Sequence, residues 1–422
     1  MRVSPNVIDH LQQVLREILR FTAPADSVLS RYFRENSRLG SRERAVIAEA
    51  AYNLLRNKRV VENLIQSGSG PLLRRMTLLA LADSIGVASI AGITEQESDW
   101  LNRVMQIDRS SLPIELRLNL PDWLVQKLTD QLGQQELLSY TQAVNQPAPL
   151  DLRVNSMKAD RLAVRAELAL NSIQAEITPY APHGLRLLNK PFLQNLLLFK
   201  DGVIEVQDEG SQLLVQIVGA KRGEMVVDFC AGAGGKTLAL GANMKNTGRL
   251  YAFDISEKRL AKFKPRLARS GLSNVHPVLI AHERDAKIKR LAGKIDRVLV
   301  DAPCSGLGTL RRNPDMKWRQ SPNAVLELAQ KQMSILESAA RLTKPGGRLV
   351  YATCSILREE NQAIAEQFLS THSEFTLVPI EVVLAEQKIE LTMQTYLQLS
   401  PAHHQTDGFF AAVFQRVSQS VI

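Results

Sequence analysis

The chain has 422 residues, 45% apolar and 23% charged, a balance that describes a folded globular protein of two or three domains and excludes a disordered or fibrous one. Three cysteines without a C-x-x-C pair exclude a disulfide framework or a zinc site, and no apolar run is long enough for a signal peptide or a spanning helix, so a cytoplasmic address is expected. The 52 Lys and Arg against 43 Asp and Glu leave a net charge of +9, which favours a polyanionic partner; without a spanning helix no membrane partner is expected.

Residues 1–144 are predicted to be helical, because apolar side chains recur at helical spacing, as in Val7, Leu11, Val14 and Ile18, and no alternating pattern competes. Residues 1–80 hold 13 basic and 7 acidic side chains, whereas residues 81–150 hold 4 and 9. The arginines of the first half (Arg31, Arg34, Arg38, Arg42, Arg44, Arg56, Arg59) form either a solvated helix surface or an RNA-contacting face. The prolines of Asn145-Gln-Pro-Ala-Pro-Leu150 suit a linker. A small α/β subdomain is expected over 145–205, with a helix near Leu162 to Leu170.

From residue 206 to 422 apolar runs alternate with helical stretches. The runs are Met225–Phe229, Arg249–Phe253, Val275–Ile280, Arg297–Val300 and Arg348–Ala352, with Phe375–Pro379 and Phe409–Phe414 behind them. The helical stretches include Glu257–Arg269 and Asn323–Leu342. This pattern predicts an α/β domain with a parallel sheet covered by helices on both faces.

At the end of the first of these strands stands Val226-Val-Asp-Phe-Cys-Ala-Gly-Ala-Gly-Gly-Lys-Thr237. Glycines before a helix permit close approach of a ligand to backbone and to the helix's free N–H groups. Gly235-Lys236-Thr237 mimics the end of a phosphate-binding loop, but the first glycine of that motif would fall on Cys230. An adenosine cofactor across the strand ends fits better, with Asp254 at the end of the next strand holding the ribose hydroxyls and Asp285, after the third, reaching the adenine amino group.

Asp301-Ala-Pro-Cys304-Ser follows the fourth strand and Tyr351-Ala-Thr-Cys354-Ser355 ends the fifth, so two of the three cysteines emerge at the ligand-binding edge of the sheet. A thiol beside an adenosine cofactor suggests methyl transfer to a pyrimidine C5. That carbon becomes nucleophilic only after a thiolate adds to C6, and Asp301 is at hand to hydrogen-bond the base edge. Arg311, Arg312 or Lys317 would favour the thiolate if their loop folds inward, and the same side chains are candidate RNA contacts. The base would have to be unstacked to present C6. Spacing leaves open which thiol attacks.

At these residues the chain resembles the NOP/Sun family of RNA cytosine-5 methyltransferases, above all its bacterial RsmB type. The likeness rests on Asp301-Ala-Pro-Cys-Ser-Gly, Arg311-Arg-Asn-Pro-Asp-Met-Lys-Trp318, Tyr351-Ala-Thr-Cys-Ser355, Val206-Gln-Asp-Glu-Gly-Ser-Gln212 and Asp407-Gly-Phe-Phe410. Arg42-Glu-Arg-Ala and Leu54-Leu-Arg56 add a looser match to a NusB-like helical domain. The resemblance implies a Rossmann-like class I methyltransferase domain over 206–422. It implies S-adenosylmethionine as donor, held by Cys230, Ala231, Gly232, Ala233, Gly234, Gly235, Lys236, Asp254, Asp285 and Asp301, and small-subunit (16S) ribosomal RNA as substrate; a monomer is expected. It also implies Cys354 as the nucleophile attacking C6 and Cys304 as the thiol aiding product release. The family usually reads Cys-Ala-Ala-Pro-Gly-Gly-Lys in the glycine turn. Gly232-Ala233 stand here in place of Ala-Pro, which should loosen the turn. A non-catalytic RNA-binding factor with the same fold is the contrasting expectation, and the intact thiols and Asp301 speak against it.

Overall fold

The structure, a computed structural model, describes residues 3–418. The chain forms two units, the first of residues Met1–Pro147 with Thr309–Pro322 and the second of Ala148–Gly308 with Asn323–Ile422. The segment Thr309–Pro322, expected within the methyltransferase domain, thus packs with the helical residues.

In the first unit the predicted helices form where apolar spacing and end signals agree. Helix Pro5–Ile18 starts on proline, whose missing N–H costs nothing at a helix start, and buries Val7, Leu11, Val14, Leu15 and Ile18. Helix Glu95–Met105 opens on a capping box, with Thr94 Oγ1 accepting from Glu97 N and Glu97 Oε2 accepting from Thr94 N. Helix Leu72–Ile85, with Leu78, Leu79 and Leu81 fully buried, packs against Pro5–Ile18 and Ser41–Arg56. Among the described residues no helix is long and apolar enough to cross a membrane.

The second unit begins with a four-stranded antiparallel sheet in the order β2-β3-β1-β4, made of β1 (Leu150–Val154), β2 (Ala175–Ile177), β3 (Gly184–Leu187) and β4 (Ile204–Val206). Helix Arg161–Leu170 buries Val164 and Leu168 with Leu152, Val154, Leu185 and Ile204.

The larger sheet contains β5 (Met225–Asp228), β6 (Arg249–Asp254), β7 (Val275–Leu279), β8 (Ile295–Asp301), β9 (Thr343–Thr353), β10 (Phe375–Val378), β11 (Leu397–Leu399) and β12 (Phe409–Arg416). Its order is β10-β12-β9-β8-β5-β6-β7, with β11 also on β12. The five strands β9-β8-β5-β6-β7 are parallel, and β12 joins β9 antiparallel. The chain moves from β5 to β6 on one side and returns to β8 on the other. The strand order therefore reverses beside β5, which opens a crevice at the carboxyl ends of β5 and β8. Strand β11 was not expected, and β9 starts earlier than its apolar run. The register shift between Ile295 and Arg297 lets β9 continue through Pro345-Gly346-Gly347 instead of breaking there.

Candidate active site

The glycine turn leaves β5 at Asp228 and enters helix Gly235–Asn243. A Cβ at Gly234 (φ 80°) would fall 2.0 Å from the Phe263 ring, so glycine is required there. Gly232 (φ 58°) meets nothing within 4 Å in the Cβ direction, which is the open side of the turn. Asp254, at the end of β6 and buried, accepts from Gly232 N at 2.8 Å and from Ser256 N at 2.7 Å. Helix Gly235–Asn243, which the turn enters, has no side-chain cap. Asp228 accepts from Thr237 Oγ1 at 2.6 Å through one oxygen, while its buried Oδ1 has no partner. Burial pushes its pKa up to about 7, with Asp301 and Asp254 adding to the rise and Thr237 and Lys236 opposing it. Open glycines, uncapped helix N–H groups, the Asp254 carboxylate and an orphan acceptor match a ligand with hydroxyl and ammonium donors and a carboxylate, which is the donor set of S-adenosylmethionine. Asp285 caps the short helix Ala286–Lys289, and the N–H groups of Ala281 and Lys287, each at 2.8 Å, hold its carboxyl below the usual range.

Both cysteine loops lie at the same sheet edge. Cys304 Sγ and Cys354 Sγ are 3.3 Å apart. The bond to Cys354, then burial and the charges of Cys354 and Glu360, push the Cys304 thiol well up, so Cys304 keeps its proton. Lys236 Nζ bonds Asp301 Oδ2 at 2.7 Å. Burial disfavours its charge, but Asp301, Cys354 and Asp228 raise its pKa, so an ammonium is fixed beside the thiols. Cys230 differs, since burial and then Asp228, Asp301 and Asp254 keep it a neutral thiol packed against the core.

A carboxylate unforeseen from sequence ties the two loops together. Glu360, fully buried, accepts from Ser305 N at 2.8 Å, from Ser305 Oγ, from Ser355 Oγ and from Gln332 Nε2 at 2.9 Å. Each serine directly follows a cysteine, so one side chain fixes the backbone behind both thiols. Gly308 N donates to the Cys354 carbonyl at 2.8 Å and Gly408 N to the Gly308 carbonyl at 2.8 Å. A Cβ on Gly308 would lie 2.1 Å from the Gly408 carbonyl oxygen, and one on Gly210 2.7 Å from the Phe409 ring. These close approaches explain glycine at 210, within a quoted motif, and at 308, just beyond another.

The expectation that Arg311 and Lys317 face RNA and support a thiolate is corrected. Both are buried, and Lys317 Nζ donates to the Arg56 carbonyl and to Asn145 Oδ1, each at 3.0 Å. Trp318 Nε1 donates to the Leu55 carbonyl at 2.9 Å, and Asp315 Oδ2 accepts from Ala25 N at 3.2 Å. These bonds anchor the segment among the helices of the first unit, and a cation so enclosed is not offered to a phosphate. Arg312 is half-buried. The fixed cation beside the thiols is Lys236.

Burial, then Arg56, lowers the Lys317 pKa from its ordinary 10.5 to about 7. The unfolded chain binds the proton more tightly, so the penalty is full below pH about 7 and fades as pH rises to 10.5. Stability should therefore rise with pH across that window, and Lys317→Met should flatten the slope. Urea unfolding of both proteins at several pH values checks this, and equal slopes would reject it.

A family model described as 16S rRNA methyltransferase RsmB/F matches residues 215–415, and the ferredoxin-like domain of RsmF/B-like methyltransferases matches residues 120–192. The chain is 30% identical to the probable ribosomal RNA small subunit methyltransferase B of Synechocystis sp. over 94% of its length and 97% of that protein's. It is also 30% identical to the probable ribosomal RNA small subunit methyltransferase B of Bacillus subtilis, covering 89% of this chain and 91% of the other. A methyltransferase homolog protein from Pyrococcus horikoshii is 30% identical and superimposes with a TM-score of 0.63, over 74% of this chain and 100% of that one.

Proposed function

Because this chain belongs to the RsmB/F family of S-adenosylmethionine-dependent methyltransferases of small-subunit ribosomal RNA, we propose that it methylates a cytosine of 16S ribosomal RNA at C5, through a covalent bond from Cys354 to C6. The observation that carries this reading is the pair of thiols at 3.3 Å beside the Lys236–Asp301 ion pair, at the carboxyl ends of parallel strands. The bound donor supplies a methyl group on a sulfonium, held by the Cys230–Lys236 turn with Asp254, Asp285 and Asp301.

Cys354 is assigned as nucleophile because Cys304 retains its proton and Lys236 offers a counter-charge to a Cys354 thiolate. Addition of the thiolate to C6 makes C5 an enamine carbon able to take the methyl group. Elimination then restores the ring: the C6–sulfur bond breaks, Cys304 passes its proton across 3.3 Å to the departing Cys354 sulfur and takes up the C5 proton, so that both residues end as thiols. Asp301, with Oδ2 on Lys236, is assigned to accept a hydrogen bond from the cytosine amino group. Residues 1–144 and 145–205 are read as RNA-binding, with Arg312 a candidate phosphate contact.

The test is Cys304→Ala incubated with 16S ribosomal RNA and S-adenosylmethionine. An RNA–protein complex that survives denaturing electrophoresis should accumulate, whereas the unaltered enzyme should release 5-methylcytosine. Methylation at another ring atom or at a ribose would reject the reading.

A further inference from the structure

A turn with glycine in the left-handed region on both sides of Ala233 and no proline is expected to be loose, yet it is held from outside. Arg266, on helix Glu257–Ser270, donates through Nη1 to the Ala233 carbonyl at 2.7 Å. Its Nε and Nη2 both bond Glu205 Oε2 of β4, at 3.1 and 2.9 Å. The other oxygen of Glu205 is occupied by Arg269, at 3.0 and 2.6 Å, and Arg269 in turn lies over the Phe199 ring. Glu205 is buried in the small sheet, where it pairs with Arg153 across β1. A guanidinium forked onto a carboxylate has its direction fixed, and the remaining nitrogen, Nη1, is what reaches the turn.

We propose that Arg266 is a positioning residue for the methyl donor, fixing the Ala233 peptide so that the N–H groups of the glycine turn face S-adenosylmethionine, with Glu205 fixing Arg266. Arg266 need not touch the donor. Its effect passes through one carbonyl, so it should govern donor affinity and leave the chemical step alone. The proposal rests on the chain's dependence on S-adenosylmethionine and not on which RNA atom is methylated. Donor binding measured without RNA can therefore fail or succeed independently of the cytosine reading.

The experiment is calorimetric binding of S-adenosylmethionine to the full chain, with thermal unfolding of each variant to show that it is folded. Loss of a charge-assisted hydrogen bond corresponds to about a tenfold change in binding. Arg266→Ala should raise the Kd for the donor by about that factor and its KM in parallel, with kcat at saturating donor within about twofold. Arg266→Lys, which reaches Glu205 or Ala233 but not both in the forked geometry, should fall between. Ala233→Pro added to Arg266→Ala should restore most of the affinity, because proline fixes φ where the guanidinium fixed the peptide. Arg269→Ala, which shares Glu205 but does not reach the turn, is the control and should bind as the unaltered protein does. Unchanged binding in a folded Arg266→Ala would overturn the proposal, as would an equal loss in Arg269→Ala, which would assign the effect to the docking of the small sheet.

Discussion

Cys354→Ala is expected to lower methyl transfer by at least about 1,000-fold while leaving S-adenosylmethionine and RNA binding in place, the scale seen when the nucleophile of a covalent enzyme is removed. The argument is electronic before it is geometric. C5 of cytosine attacks nothing until an electron pair enters the ring at C6, and among the thiols at this edge only Cys354 combines a fixed ammonium nearby with a neighbour that keeps its own proton. In that variant Cys304 loses the bond to Cys354, but burial and the charge of Glu360 still hold its thiol up, so it is a poor replacement. Single-turnover transfer of labelled methyl groups to ribosomal RNA checks this. Retention of even a tenth of the rate would exchange the roles or remove the adduct from the mechanism.

Glu360→Ala should be the most damaging substitution outside the thiols and the donor turn. Its carboxylate is fully buried and gathers donors from Ser305, Ser355 and Gln332. Removing one member of such a network leaves the others unsatisfied in a low-dielectric interior, at a cost of about 3–5 kcal/mol. The loss should appear as a lower urea midpoint for the second unit and as a fall in kcat exceeding any rise in donor KM, because the backbone behind both thiols is released. Glu360→Gln keeps the shape and one acceptor, so it should lose less of both. A stable, fully active Glu360→Ala would show that the Gly308–Gly408 contacts alone hold the loops.

The parallel strands were legible because apolar runs of four to six residues carry their own signal. The strand ends were equally readable, since small and polar residues there declared the crevice. Strand β11 was hidden because Leu-Gln-Leu is too short an alternation to stand out, and it pairs only by virtue of β12 lying alongside. Glu360 escaped because its partner Ser305 is 55 residues away, and no local pattern reports a contact of that kind. Lys317 was misjudged for the same reason. In sequence it stands among arginines and reads as a surface cation, but the acceptors that enclose it lie 261 and 172 residues back, on Arg56 and Asn145.

The segment Thr309–Pro322 has a consequence for how the protein can be divided. Cutting at the proline-rich stretch near residue 147 would appear to separate two autonomous pieces, but the helical piece would lose Asp315, Lys317 and Trp318 from its interior. The remainder would carry those same side chains, including a large indole, with nothing to receive them. Exchange of the helical half between relatives is therefore not a simple graft, because a donor half must bring a matching Thr309–Pro322 peptide with it. Inheritance of the two units is coupled through a stretch that belongs to the first but lies between the sequence segments of the second.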